Sequence, residues 1–267
     1  MANTERPLAV VTGASTGIGF ELAKQFAENG FDLLVTADEP AIEQARAELQ
    51  KAGGSVEAVQ TDLATYDGVE ALHRRIQALG RPVDSLVLNA GVGVNGDFAR
   101  ETRLEDELNL IGLNVTSVVH LGKRVVKDMV QRGHGRILIV SSIAGTMAAP
   151  LMAVYGASKA FLLSFSEALA NELKDAGITV TALLPGPTET EFFARADMEE
   201  TRVGQKDKDD PADVAREGFQ GLMAGKTKVY GTAATALLGV SGRFLPDQVK
   251  SALHRKLAEP DPKATQH

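Results

Sequence analysis

The sequence predicts an α/β protein built as a single domain on one doubly wound parallel sheet. Three observations carry that expectation. Short, continuously apolar runs alternate with stretches of helical spacing, and strands apolar on both sides belong to parallel sheets covered by helices on both faces. A glycine-rich turn follows the first apolar run and opens the first helical stretch. No Pro/Ser-rich linker and no internal repeat divides the 267 residues, a length that α/β folds often carry as one unit.

Leu8–Thr12 is the first strand and Ile18–Asn29 the first helix. Phe31–Thr36 reads as the second strand. Ala41–Ala52 is a helix stopped by Gly53 and Gly54, and Ser55–Gln60 is the third strand. Leu72, Ile76 and Leu79 share one face of a helix over Asp67–Leu79, and Leu86–Leu88 is the fourth strand. Periodicity over Glu101–Arg132 fits two helices. Arg136–Ser141 is a strand, Tyr155–Ala176 a long helix and Thr179–Leu184 a further strand. Right-handed crossovers then wind the sheet in both directions from its middle.

Two segments break the rhythm. Residues 188–210 hold the run Lys206-Asp207-Lys208-Asp209-Asp210 and few residues of buried type, which fits a solvated insertion or a lid over a site. Residues 232–259 include Ala233–Val240, Phe244, Leu245, Val249, Leu253 and Leu257, and fit an amphipathic tail helix. Packing on the core or on another subunit explains such a tail better than a membrane does.

Composition narrows the function classes. A net charge of −7 repels phosphate backbones, so no nucleic-acid partner is expected. The absence of cysteine excludes disulfides, thiolate catalysis and Cys-ligated metals. His73, His120, His134, His254 and His267 show no ligand spacing, so no metal is expected and they read as structural or solvent-facing. Met1 to Val10 lacks the parts of a signal peptide, and no apolar run reaches the ~20 residues of a membrane span. A soluble cytoplasmic protein is expected.

The turn is Thr12-Gly13-Ala14-Ser15-Thr16-Gly17-Ile18-Gly19. Glycines permit a tight turn and close backbone approach, and the helix start offers free N–H groups and a positive dipole end. That combination suits a pyrophosphate. Asp38, just after the second strand, can accept hydrogen bonds from an adenosine ribose and would repel a 2′-phosphate. Glu39 adds negative charge, and no Arg or Lys stands in the turn or directly after the strand. NAD is therefore the expected cofactor, with NADP as the alternative.

Tyr155 and Lys159 lie one helical turn apart and share a face. A phenol near pKa 10 is a poor base at neutral pH. A cation about 4 Å away at an effective dielectric of about 20 is worth about 4 kcal/mol, or up to about three pK units. The pair is thus expected to bring the phenol near 7, where general acid–base catalysis works best. Ser141 and Ser142 end the preceding strand, where open parallel sheets bind their ligands. A hydroxyl there can stabilise charge developing on a substrate oxygen.

Over about residues 6–230, these motifs together resemble the short-chain dehydrogenase/reductase family, on a Rossmann-type fold. The family's cofactor turn is similar to Thr12 through Gly19 in full, and its Asn-Ala-Gly element is Asn89-Ala90-Gly91. Its adenine-contacting acid corresponds to Asp62, beside Leu63. The resemblance implies Ser142 rather than Ser141 as substrate serine, Tyr155 as general acid/base and Lys159 as its partner. It implies Asn114 as support for a proton-relay water. It also implies a nicotinamide contact from Pro185 and Gly186 through Thr188 and Thr190. Where some members continue with Arg after the second strand and use NADP, this chain has Asp38.

The expected activity is hydride transfer between a nicotinamide cofactor and a carbonyl or alcohol. Small and apolar residues at Met147, Ala148, Leu151, Met152, Phe192 and Phe193 imply an apolar small-molecule substrate. A homodimer or homotetramer through the helices near 105–131 and 155–174 is implied by the resemblance alone. The competing readings are a non-catalytic NAD(P)-binding regulatory protein, which need not keep the Tyr and Lys, and a membrane-associated reductase using the apolar tail.

Overall fold

The computed structural model describes residues 6–241 and 246–261. The expectations for the chain start before Arg6, for Phe244 and Leu245, and for His267 lie outside the described residues.

The strands are β1 (Leu8–Thr12), β2 (Asp32–Ala37), β3 (Val56–Gln60), β4 (Val83–Leu88), β5 (Gly135–Val140), β6 (Ile178–Leu184) and β7 (Lys228–Tyr230). They form one parallel sheet in the order β3-β2-β1-β4-β5-β6-β7. The order reverses between β1 and β4, which opens a crevice at their carboxyl ends. Alternation along β1 shows why its run is continuously apolar. Ala9 and Val11 pack with Leu22, Phe26, Ile42 and Phe219, whereas Leu8 and Val10 pack with Leu72, Leu121, Val125 and Leu162.

One face is covered by α1 (Gly17–Glu28), α2 (Ala41–Ala52) and α8 (Pro211–Met223), the other by α3 (Tyr66–Ala78), α5 (Ser117–Arg132) and α6 (Ala153–Leu173). Local chemistry sets several of their ends. The Thr65 hydroxyl accepts from the Gly68 N–H at 3.0 Å to start α3. Gly133 ends α5 at a φ of 68°, in the left-handed region. Asp210 caps α8 by accepting from the Ala212 N–H at 2.8 Å, with Pro211 in the first turn.

The stretch expected as two helices is α4 (Leu104–Ile111) and α5, joined by a π-helical turn over Gly112–Thr116. Further elements are α7 (Phe192–Arg195), α9 (Ala233–Ser241) and α10 (Asp247–Ala258). The expected tail helix over 232–259 is therefore corrected to two helices, α9 and α10. The segment 188–210 is also less solvated than its charges implied. Phe193, Ala196, Met198 and Thr201 are buried in it. Backbone bonds from Arg202 to Glu259, Val203 to Leu257 and Asp261 to Glu200 stitch it to the end of α10. No helix among the described residues is long and apolar enough to cross a membrane, and no group of metal-ligand type residues occurs among them.

Candidate active site

The glycine-rich turn is held from both sides. The buried Thr12 hydroxyl donates to the Val87 carbonyl at 3.2 Å and accepts from the Asn89 and Ala90 N–H groups at 3.0 and 3.1 Å. Asn89 returns its side-chain amide to the carbonyls of Thr12 and Gly13, both at 3.0 Å. These bonds tie the end of β4 to the turn after β1. Gly17 adopts a φ of 58°, a left-handed conformation that favours glycine. At Gly19 the limit is space: a Cβ would lie 2.0 Å from the Gly13 carbonyl oxygen. No side chain caps α1, and its first turn holds no acidic residue. Its leading N–H groups are thus open to an anion, which fits the diphosphate of a dinucleotide.

The turn forms one end of a cleft of about 500 Å³. Gly13, Ser15, Thr16, Gly17, Ile18, Gly19, Asp38, Asp62, Leu63, Asn89, Ala90 and Gly91 line it. So do Ser142, Tyr155, Lys159, Pro185, Gly186, Thr188 and Thr190. Asn114 alone of the sequence-predicted set does not reach the wall. It is fully buried in the π-turn. Its side chain accepts from the Val92 N–H and donates to the Val92 carbonyl, both at 2.9 Å, and donates to the Ser158 hydroxyl at 3.1 Å. The side-chain amide therefore fixes the loop after β4.

The two serines that follow β5 both border the cleft but are bonded differently. Ser141 donates to the Lys159 carbonyl at 2.7 Å and is buried against α6. Ser142 lines the cleft beside Tyr155 and accepts from the Ala144 N–H at 3.1 Å. Lys159 places its ammonium 5.7 Å from the centre of the Tyr155 ring, on the same side of α6, and donates to the Val140 carbonyl at 3.0 Å.

The electrostatic expectation for this pair is corrected. Burial pushes the Tyr155 phenol up to about 12, against a smaller opposing effect of Ser142. Burial also pushes Lys159 down to about 8. Removing both groups from water penalises each charged form, and in the chain alone that penalty outweighs their proximity. A phenol near 7 is not what these residues produce without a further charge.

Beyond the turn and the Tyr–Lys face, the cleft is apolar, with Met147, Met152, Phe192, Phe193, Met198 and Leu257 among its walls. Tyr155 and Phe192 rings are 5.3 Å apart. Leu151 and Ala148, expected in this wall, lie outside the lining, Leu151 half-buried and Ala148 exposed. The far wall is α10, through Lys250, Leu253, His254 and Leu257. His254, read from sequence as structural or solvent-facing, sits there with its pKa lowered by burial. Its spacing from Lys250 and Leu257 is helical, so an amphipathic reading of 247–258 alone could have found this wall. A second group had no local signal. Arg195 of α7 lines the cleft and pairs with Glu39, 156 positions away in the chain.

Comparison with known proteins agrees with this geometry. The family profile described as short chain dehydrogenase matches residues 7–201. The 3-oxoacyl-acyl-carrier-protein reductase of Escherichia coli is 35% identical over 202 residues, 76% of this chain and 81% of that protein. A short-chain dehydrogenase from Sphingobium yanoikuyae, solved in complex with NADPH, superposes with a TM-score of 0.80 at 30% identity, covering 96% of this chain and 99% of that one. The 3-ketoacyl-acyl-carrier-protein reductase from Brucella melitensis, complexed with NADH, has a TM-score of 0.73 at 28% identity, covering 84% and 97%. With its strand order, its glycine turn and the match over most of its length, the chain belongs to the short-chain dehydrogenase family of oxidoreductases.

Proposed function

We propose that the chain interconverts a carbonyl and an alcohol on an apolar small molecule, using NAD(P), with Tyr155 as proton donor and acceptor. The observation that carries this reading is the convergence of Ser142, Tyr155 and Lys159 on one cleft with the open start of α1. A dinucleotide held along the turn from Gly13 to Gly19, with Pro185 to Thr190 at its nicotinamide end, would supply or take up the hydride. The substrate oxygen lies between the hydroxyls of Ser142 and Tyr155. Tyr155 delivers its proton to that oxygen in reduction and takes it back in oxidation, while Ser142 stabilises the charge on the oxygen. A phenol held at about 12 is protonated at neutral pH and equipped to donate. Lys159 favours the phenolate needed for oxidation, and an oxidised nicotinamide would add positive charge to the same end. Asn114 acts as a positioning group through Val92. NAD is the preferred cofactor in this reading because Asp38 lines the cleft after β2; the relatives just described carry NADPH in one case and NADH in the other.

Absorbance at 340 nm tests the proposal, with NADH and NADPH each offered against aliphatic, aromatic and β-keto carbonyl compounds. Turnover of at least one apolar ketone, faster with NADH, is expected. Tight dinucleotide binding without turnover of any compound would assign a binding-only role instead.

The same reading extends to assembly. Leu104, Leu108 and Ile111 recur on one face of α4, and Phe98 and Phe161 lie exposed beside them. With Val115, Val154 and Ala157, three of these five line a shallow apolar hollow. Exposed apolar patches of this kind mark protein contacts. A homodimer or homotetramer through α4, α5 and α6 is expected by light scattering, and Phe161→Glu with Ile111→Glu is expected to yield monomers. A wild-type monomer at micromolar concentration would rule the assembly out.

A further inference from the structure

Glu39 follows Asp38 at the exit of β2. Its Oε1 accepts from the Ser15 hydroxyl at 2.6 Å, and Nη2 of Arg195 donates to Oε1 and Oε2 at 3.0 and 3.1 Å. Arg195 also pairs with Glu191. Hydrogen bonding from Ser15, then from Arg195, holds the Glu39 carboxyl below its ordinary range. Ser15, Asp38 and Arg195 line the same cleft.

This arrangement changes the charge inventory beside the adenosine ribose. The local sequence there is acidic, but folding brings in a guanidinium from α7. A guanidinium and a hydroxyl are the donors that a phosphate monoester seeks, and the planar fork of Arg suits its oxygens. Here the Glu39 carboxylate engages both, and Glu191 shares the guanidinium from within the α7 segment. The ion pair is half-exposed, with side-chain exposures of 43% for Arg195 and 30% for Glu39. Exposed pairs of that kind contribute little net stability, so a competing dianion could displace the carboxylate.

We propose that Glu39 sets the choice between dinucleotides with and without a 2′-phosphate by occupying Ser15 and Arg195, which together form a latent phosphate site. The proposal rests on the dinucleotide reading of the cleft. It differs from simple repulsion by Asp38, since it makes a residue of the substrate-side helix α7 part of cofactor selection. Glu39 acts in two ways at once: it repels the phosphate and withholds its donors.

The two ways separate by binding titration of the apoprotein with adenosine 5′-monophosphate and adenosine 2′,5′-bisphosphate, probes that differ only by the phosphate in question. The readout is the ratio of their dissociation constants, so a general loss of affinity cancels. Glu39→Ala and Glu39→Gln are each expected to move the ratio toward the bisphosphate by about tenfold, the size of an ordinary coupling between neighbouring charged groups. Adding Arg195→Ala or Ser15→Ala to Glu39→Ala is expected to remove most of that gain. Thermal melting confirms that each variant is folded. An unchanged ratio in both Glu39 variants, or a gain that persists in full without Arg195 and Ser15, overturns the latent site. A wild type that binds neither probe defeats the dinucleotide reading itself and this inference with it.

Discussion

Tyr155→Phe is expected to cut turnover by about a thousandfold while dinucleotide binding stays within a fewfold of wild type, in the range that general acid–base groups contribute. The substitution removes one oxygen and its proton from a side chain that is almost wholly buried. The ring, its contact with Phe192 and the Lys159 bond to Val140 do not depend on that oxygen. Single-turnover kinetics with saturating cofactor, together with a binding titration, separates loss of chemistry from loss of binding. Turnover within tenfold of wild type would remove Tyr155 from the reaction.

Lys159→Met is expected to lose turnover by a similar factor and to change the pH dependence of stability in a defined direction. Lys159 titrates at about 8 in the folded chain against 10.5 when unfolded. Between those values the unfolded state binds more protons, so stability rises as pH rises. The contribution is present in full above 10.5 and is lost as pH falls through 8. Tyr155 works in a different window. Its value of about 12 against 10 means that its contribution is present below 10 and lost as pH rises through 12. Urea midpoints of the apoprotein and of Lys159→Met at pH 7.5 and pH 9, taken as a difference, isolate the lysine. Wild type is expected to gain stability across that interval relative to Lys159→Met, and parallel behaviour of the two proteins would show that burial does not lower the Lys159 pKa.

Much of the site was legible because its parts are local. The spacing of Gly13, Gly17 and Gly19 reports a turn that needs a left-handed backbone at the first two and bare space at the third. Tyr155 and Lys159 share a helix face whatever surrounds them. The strand ends were legible within two or three residues because β1, β2 and β6 are apolar on both sides. Strand β7 and helix α8 were passed over: β7 has only three residues, and α8 begins directly after the charged run that marked 206–210 as a loop. Asp210-Pro211 was the available signal for its start.

Residue spacing predicted the sheet architecture, the glycine turn and the shared face of Tyr155 and Lys159, since each is a property of neighbours along the chain, and the motifs together carried the family resemblance. Folding alone set the protonation of Tyr155 and Lys159, the wall made by α10 and the meeting of Arg195 with Glu39 and Ser15. Those depend on burial and on contacts between segments as much as 156 positions apart. Desolvation sums over every atom that excludes water, and no motif encodes that sum.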